Sequence, residues 1–245
     1  MVRSFLPTNL VRSHVKDLPG HGSNDVVPRD YRSVIKDLAN WVQSQAQYPS
    51  ILVGYSMGGR IGWHLVHQYP KLFTFFIVES GSPGMIDKAE RATRRANDHA
   101  LLSQVLSGAE PFPQFLKKWY EQPIFASCQQ RLLQRVMRKR MNNHPNLLHS
   151  SLQILGTGVL PSLWRELPTI QIPTLFLTGA RDIKFCQMSK KCQSMASQIT
   201  SRSIPRASHH IHQEQPQTMA NAILEFINSK GNNAGLIQKT LMLRK

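Results

Sequence analysis

Ile51-Leu52-Val53-Gly54-Tyr55-Ser56-Met57-Gly58-Gly59-Arg60 decides how the rest of the chain is read. An apolar run short enough for a buried strand meets Gly54-x-Ser56-x-Gly58, and helical spacing begins at once. The G-x-S-x-G pattern alone is weak, since about 0.1 chance matches are expected in a chain of this length. Its context gives it meaning. A strand that turns this sharply into a helix forces the serine into strained backbone angles, admits only glycines beside it and lifts the hydroxyl above the sheet. The helix beyond aims backbone N–H groups, that of Met57 among them, at any negative charge forming there. The competing reading is a glycine-rich turn with an incidental serine.

Outward from this stretch, the chain alternates strand and helix patterns. Upstream, residues 11–18 form a polar strand that leads into the breaker-rich turn Asp17-Leu18-Pro19-Gly20-His21-Gly22-Ser23, where His21 reads as structural. Tyr31 to Gln47 shows helix spacing, with Val34, Ile35, Leu38, Trp41 and Val42 on one face and Asp30 placed as N-cap. Downstream, Phe73-Thr74-Phe75-Phe76-Ile77-Val78 is a near-continuous apolar run, as in a strand buried on both faces of a parallel sheet. Strand signals then stop. Residues from about 85 to 160 read as an arginine-rich helical cap. The sheet pattern resumes at Pro173 to Gly179, with a further short strand at Arg202 to Pro205 and an amphipathic helix from Pro216 to Lys230. Residues 1–230 are expected to form one domain, and residues 231–245 a basic, loosely held tail.

Composition narrows the class. The 245 residues suffice for one large core, and 41% hydrophobic content is that of a globular chain. No apolar stretch reaches the roughly 18 residues of a membrane span, and the N-terminus lacks the apolar region of a secretory signal, so a cytoplasmic location is expected. Three scattered cysteines, Cys128, Cys186 and Cys192, make neither a disulfide framework nor a zinc site. The formal charge of +16 suits anionic partners, but the basic residues are dispersed and no nucleic-acid-reading motif accompanies them; no specific nucleic acid is expected.

A serine needs an imidazole to take its proton, and the imidazole needs a carboxylate to fix its tautomer and stabilise its cation. The chain supplies Ser56, Asp182 and His209 in that order, each just after a strand and hence on one edge of the sheet. That is the order and placement of the α/β-hydrolase fold. Asp182 read as a surface ion pair, and a zinc site on His209, His210 and His212, are the weighed alternatives.

Several motifs carry a closer resemblance. Asp17-Leu18-Pro19-Gly20-His21-Gly22, Gly54 to Arg60, Val78-Glu79-Ser80-Gly81-Ser82-Pro83-Gly84, Trp119-Tyr120-Glu121-Gln122-Pro123-Ile124-Phe125, Thr178 to Phe185 and Ile204 to His209 resemble the 2-succinyl-6-hydroxy-2,4-cyclohexadiene-1-carboxylate synthases of the α/β-hydrolase superfamily, which act in menaquinone biosynthesis. The resemblance implies a cofactor-free lyase that eliminates pyruvate from a small polyanionic substrate, with Ser56 as base through His209. It also implies substrate contacts from the cap, by Arg94 and Arg140, with Tyr55 and Trp119 lining the pocket. Arg94 and Arg140 also have a reading as a solvated helix face, and Trp119 one as core packing. An esterase or thioesterase on the same triad, and an inactive protein that binds anionic ligands, are the alternatives to the lyase.

The start departs from the family. Only 16 residues precede Asp17, too few for the usual N-terminal strands and the His-Gly oxyanion loop. A mid-sheet strand position beside Ile51 to Tyr55 would then stand unpaired, and one of two oxyanion N–H donors would be lost. Truncation at the start is the expectation adopted; re-pairing of Met1 to Leu10 as a substitute strand and a degenerate copy are the alternatives.

Overall fold

The computed structural model describes residues 12–45 and 49–230, together with the backbone of residues 239–244. Strands β1 (Arg12–Asp17), β2 (Ser50–Tyr55), β3 (Phe73–Glu79), β4 (Thr174–Gly179), β5 (Ile199–Ile204) and β6 (Lys239–Arg244) make one sheet in the order β1-β6-β2-β3-β4-β5. Every pairing is parallel, so all six strands end on the same edge.

Side-chain alternation assigns the two faces. Leu52, Phe76, Val78 and Phe176 point to one side, under α1 (Tyr31–Gln45), α2 (Met57–Gln68) and α7 (Ile183–Met195). Ile51, Val53, Phe75, Ile77, Leu175 and Leu177 point to the other, under α9 (Pro216–Ser229). Strands buried on both faces are apolar at most positions, which is why β2 to β4 read as near-continuous apolar runs broken only by small hydroxyl or terminal residues. Asp30 caps α1 as expected, its Oδ1 accepting from Ser33 N at 2.8 Å. The last two residues of the helix expected there, 46 and 47, lie outside the described residues. The helix α7 carries no prior sign in the sequence beyond its cap, Asp182.

The cap consists of α3 (Lys88–Leu106), α4 (Phe112–Tyr120), α5 (Gln130–Arg140) and α6 (Pro145–Leu155). It has small cores of its own: Leu102, Phe115 and Leu116 in one, and Tyr120, Phe125, Leu132, Leu133 and Val136 in the other.

The C-terminal segment departs from expectation. Residues 239–244, read as part of a loose tail, form β6 in mid-sheet, paired to β1 from Arg12↔Lys239 to Asp17↔Arg244 and to β2 from Ile51↔Thr240 to Gly54↔Leu243. The position expected to stand unpaired beside β2 is therefore filled, and the backbone groups of β2 find partners on both sides. The alternative in which Met1 to Leu10 takes that position falls on residues outside those described.

Candidate active site

Ser56 sits between β2 and α2 with φ 50° and ψ −110°, a left-handed conformation that a non-glycine residue holds only when its surroundings impose it. Its N–H donates to the Glu79 carbonyl at 2.8 Å, tying the turn to the end of β3. The turn is too tight for a side chain at Gly54, where a Cβ would stand 2.6 Å from the Gly58 carbonyl oxygen. Met57 opens α2, and N–H groups in a first helical turn lack intrahelical acceptors.

Asp182 caps α7 and directs Oδ2 at His209 Nδ1, 2.7 Å away. His209 Nε2 lies 3.3 Å from Ser56 Oγ. An ionised carboxylate only accepts, so Nδ1 carries the proton and Nε2 is left as acceptor for the serine hydroxyl. The imidazole is 1% exposed and packs against Phe185 and Phe125, at ring distances of 5.0 and 5.9 Å. The three residues singled out in sequence meet in one chain of contacts. His210 and His212 do not converge with His209: His212 pairs with Glu79, and among the described residues no three His, Cys, Asp or Glu side chains form a metal-binding group.

Ser56, Met57 and Asp182 open into a cavity of about 1070 Å³ roofed by the cap. Arg94 and Trp119 line it as expected. Asp98 holds Arg94 Nε through contacts of 2.9 and 3.0 Å, which leaves the terminal nitrogens without a protein partner among the described residues.

Two expected pocket residues lie elsewhere. Tyr55 is absent from the cavity wall; its ring packs behind the relay against His209, His210 and His212 at 5.6, 5.4 and 4.8 Å. A residue next to the nucleophile on a strand points to the opposite face, which is the physical reason. Burial, followed by the nearby Glu79 carboxylate, pushes its phenol well above the usual range and keeps it neutral. Arg140 also stands outside the main cavity. It hydrogen-bonds Tyr120 and lines a smaller void with His21, Asn143 and Trp119, because the last turn of α5 faces α4.

One residue was missed. Arg60, four positions after Ser56 and so on the same face of α2, is 8% exposed and reaches the cavity. It donates to Thr157 Oγ1 at 2.6 Å and to the Leu155 carbonyl at 3.2 Å, while its Nε has no partner among the described residues. Burial, and then the Arg94 guanidinium nearby, lower its pKa to about 10, so it remains a cation at neutral pH. The i, i+4 spacing from the nucleophile was the available signal.

A parallel sheet with its nucleophile on a strained strand-to-helix turn, and with acid and histidine on neighbouring strand ends, defines an α/β hydrolase. A family model described as "Alpha/beta hydrolase family" matches residues 4–222. Among similar proteins, the 2-succinyl-6-hydroxy-2,4-cyclohexadiene-1-carboxylate synthase of Serratia proteamaculans is 31% identical over 217 residues, covering 88% of this chain and 82% of that protein. The enzyme of the same name from Klebsiella pneumoniae is 30% identical, covering 87% and 82%. Among solved structures, MenH from S. aureus superposes with a TM-score of 0.79 at 29% identity, covering 88% of this chain and 82% of that one. The chain belongs to the α/β-hydrolase family and, within it, to the 2-succinyl-6-hydroxy-2,4-cyclohexadiene-1-carboxylate synthases. An esterase from Exiguobacterium antarcticum, at 17% identity and a TM-score of 0.67, shares the fold alone. Among the described residues, no helix is long and apolar enough to cross a membrane.

Proposed function

We propose that this chain eliminates pyruvate from 2-succinyl-5-enolpyruvyl-6-hydroxy-3-cyclohexene-1-carboxylate to give 2-succinyl-6-hydroxy-2,4-cyclohexadiene-1-carboxylate, with Ser56, His209 and Asp182 as its catalytic residues. The observation that carries this reading is the Ser56–His209–Asp182 contact chain opening into a cavity that also holds the Arg60 and Arg94 guanidinium groups. A polyanionic substrate needs cations, and a guanidinium fork suits a carboxylate.

In this mechanism Ser56 Oγ takes the ring proton as its own proton passes to His209 Nε2. Asp182 stabilises the resulting imidazolium. The electron pair left at the ring carbon beside the succinyl group forms a new double bond, the existing ring double bond shifts one position along, and the C–O bond to the enolpyruvyl group breaks. Pyruvate leaves as its enolate and takes up one proton, matched by the proton that His209 gives up, which restores the neutral imidazole. Negative charge that builds on the succinyl carbonyl faces the first turn of α2, with Met57 N–H as donor. No acyl-serine forms.

Release of pyruvate from the cyclohexene substrate tests the assignment. Ser56→Ala is expected to slow it by about 10²–10⁴-fold, the usual contribution of a positioned general base; equal rates for the two proteins reject it. Because Ser56 Oγ within 3.3 Å of His209 would also serve ester cleavage, p-nitrophenyl ester turnover without pyruvate release would favour an esterase or thioesterase instead.

A further inference from the structure

Glu79 ends β3 with its side chain 1% exposed, outside the cavity and out of contact with the reacting groups. A carboxylate so deeply buried is costly unless its oxygens are satisfied. Both are satisfied by one residue. Oε1 accepts from His212 N at 3.0 Å, and Oε1 and Oε2 each lie 2.9 Å from His212 Nδ1. The main-chain oxygen of Glu79 meanwhile accepts from Ser56 N at 2.8 Å. One residue therefore holds the nucleophile turn through its carbonyl and the segment following His209 through its carboxylate.

His212 lies in the short helix α8 (Ile211–Glu214), three positions beyond His209. The Tyr55 ring meets it edge-on at 4.8 Å and also packs on His209. Any displacement of His212 is thus passed to both neighbours of the relay, the Tyr55 ring and the loop that carries the imidazole. The 3.3 Å separation of His209 Nε2 from Ser56 Oγ leaves little room for drift before the contact fails.

From this we propose that Glu79 is a positioning residue for the Ser56–His209 pair, acting through His212. The inference rests on the assignment of Ser56 and His209 as the reacting pair, but not on the identity of the substrate. A fluorophosphonate probe separates the two. In its reaction the Ser56 Oγ–P bond forms, the P–F bond breaks, fluoride leaves and the hydroxyl proton passes to His209 Nε2.

Glu79→Ala and His212→Ala are each expected to slow maximal labelling of Ser56 on the order of 10–100-fold, with the half-saturating probe concentration unchanged. The double variant should label no more slowly than Glu79→Ala alone, because His212→Ala breaks only the side-chain part of a link that Glu79→Ala removes whole. His212→Asn retains a side-chain N–H within reach of the carboxylate and should recover most of the rate; a loss due only to general destabilisation would not show this rescue. Wild-type labelling in either folded single variant, or losses that multiply in the double variant, would overturn the proposal. If Glu79→Ala does not fold, the two His212 variants decide, and equal rates for them count against it. A wild type that labels at Ser56 but releases no pyruvate refutes the assigned reaction and leaves this positioning role intact, whereas a wild type that does not label refutes the positioning role.

Discussion

Ser56 illustrates how a reacting residue is held at a cost to the fold. Its φ of 50° is of the kind that costs on the order of 1–3 kcal/mol in a non-glycine residue. Ser56→Gly should therefore raise the urea midpoint, by an amount corresponding to about 1 kcal/mol, while slowing pyruvate release as much as Ser56→Ala does; an unchanged or lower midpoint would contradict strain at the turn. Arg60 tests the anion side of the cavity. Arg60→Ala removes charge-assisted bonds worth about 1.5–3 kcal/mol each and should lower kcat/KM roughly 10–100-fold in steady-state assays. Arg60→Lys should recover only part, since an ammonium cannot serve Thr157, Leu155 and a carboxylate with one fork. Much of this site was readable beforehand, because Ser56, Asp182 and His209 each follow a strand end and the parallel sheet brings those ends to one rim. Side-chain direction was not readable. The family resemblance implies pocket roles for Tyr55 and Arg140, but the strand pleat turns one behind the relay and Tyr120 draws the other into a separate void.

Among the elements, β6 is the one whose absence the sheet would feel most. It pairs with β1 on one side and β2 on the other, and β2 ends directly in the nucleophile turn. Leu241→Pro removes a ladder N–H from an interior strand, where proline is not tolerated, and should lower stability by about 1–3 kcal/mol or more by denaturant titration. Retention of the wild-type midpoint would place the segment outside the sheet. Lys239-Thr240-Leu241-Met242-Leu243-Arg244 gave no strand signal strong enough to recognise, because a short run bounded by cations becomes a strand only when two edges await it. By contrast β2, β3 and β4 declared themselves, since burial on both faces leaves few polar positions in the run. The paired β1 was also anticipated, and its polar content suits its place at the sheet's edge.

For the whole molecule, the formal charge of +16 is the property the fold least explains and the proposed substrate best suits. Arg131, Arg135, Arg138 and Lys139 stand exposed on α5, and the helix contains no acid to offset them. A field of that sign draws anions toward the molecule and raises encounter rates in a salt-dependent way. Raising ionic strength from about 0.01 M to 0.15 M shortens the screening length from roughly 30 Å to 8 Å and should lower kcat/KM for the polyanionic substrate with little change in kcat. A flat salt profile would show that the surface cations play no part in capture.

The placement of β6 has a consequence for biogenesis. Its two flanking strands leave the ribosome long before it does, since most of the chain is translated between β2 and β6. At about 5–20 residues per second, the edge of β2 waits on the order of ten seconds or more for its neighbour. During that interval the nascent polypeptide presents an apolar, half-finished sheet to its surroundings, an invitation to chaperones or to wrong partners, and the serine hydroxyl cannot reach its working geometry until β6 has threaded home.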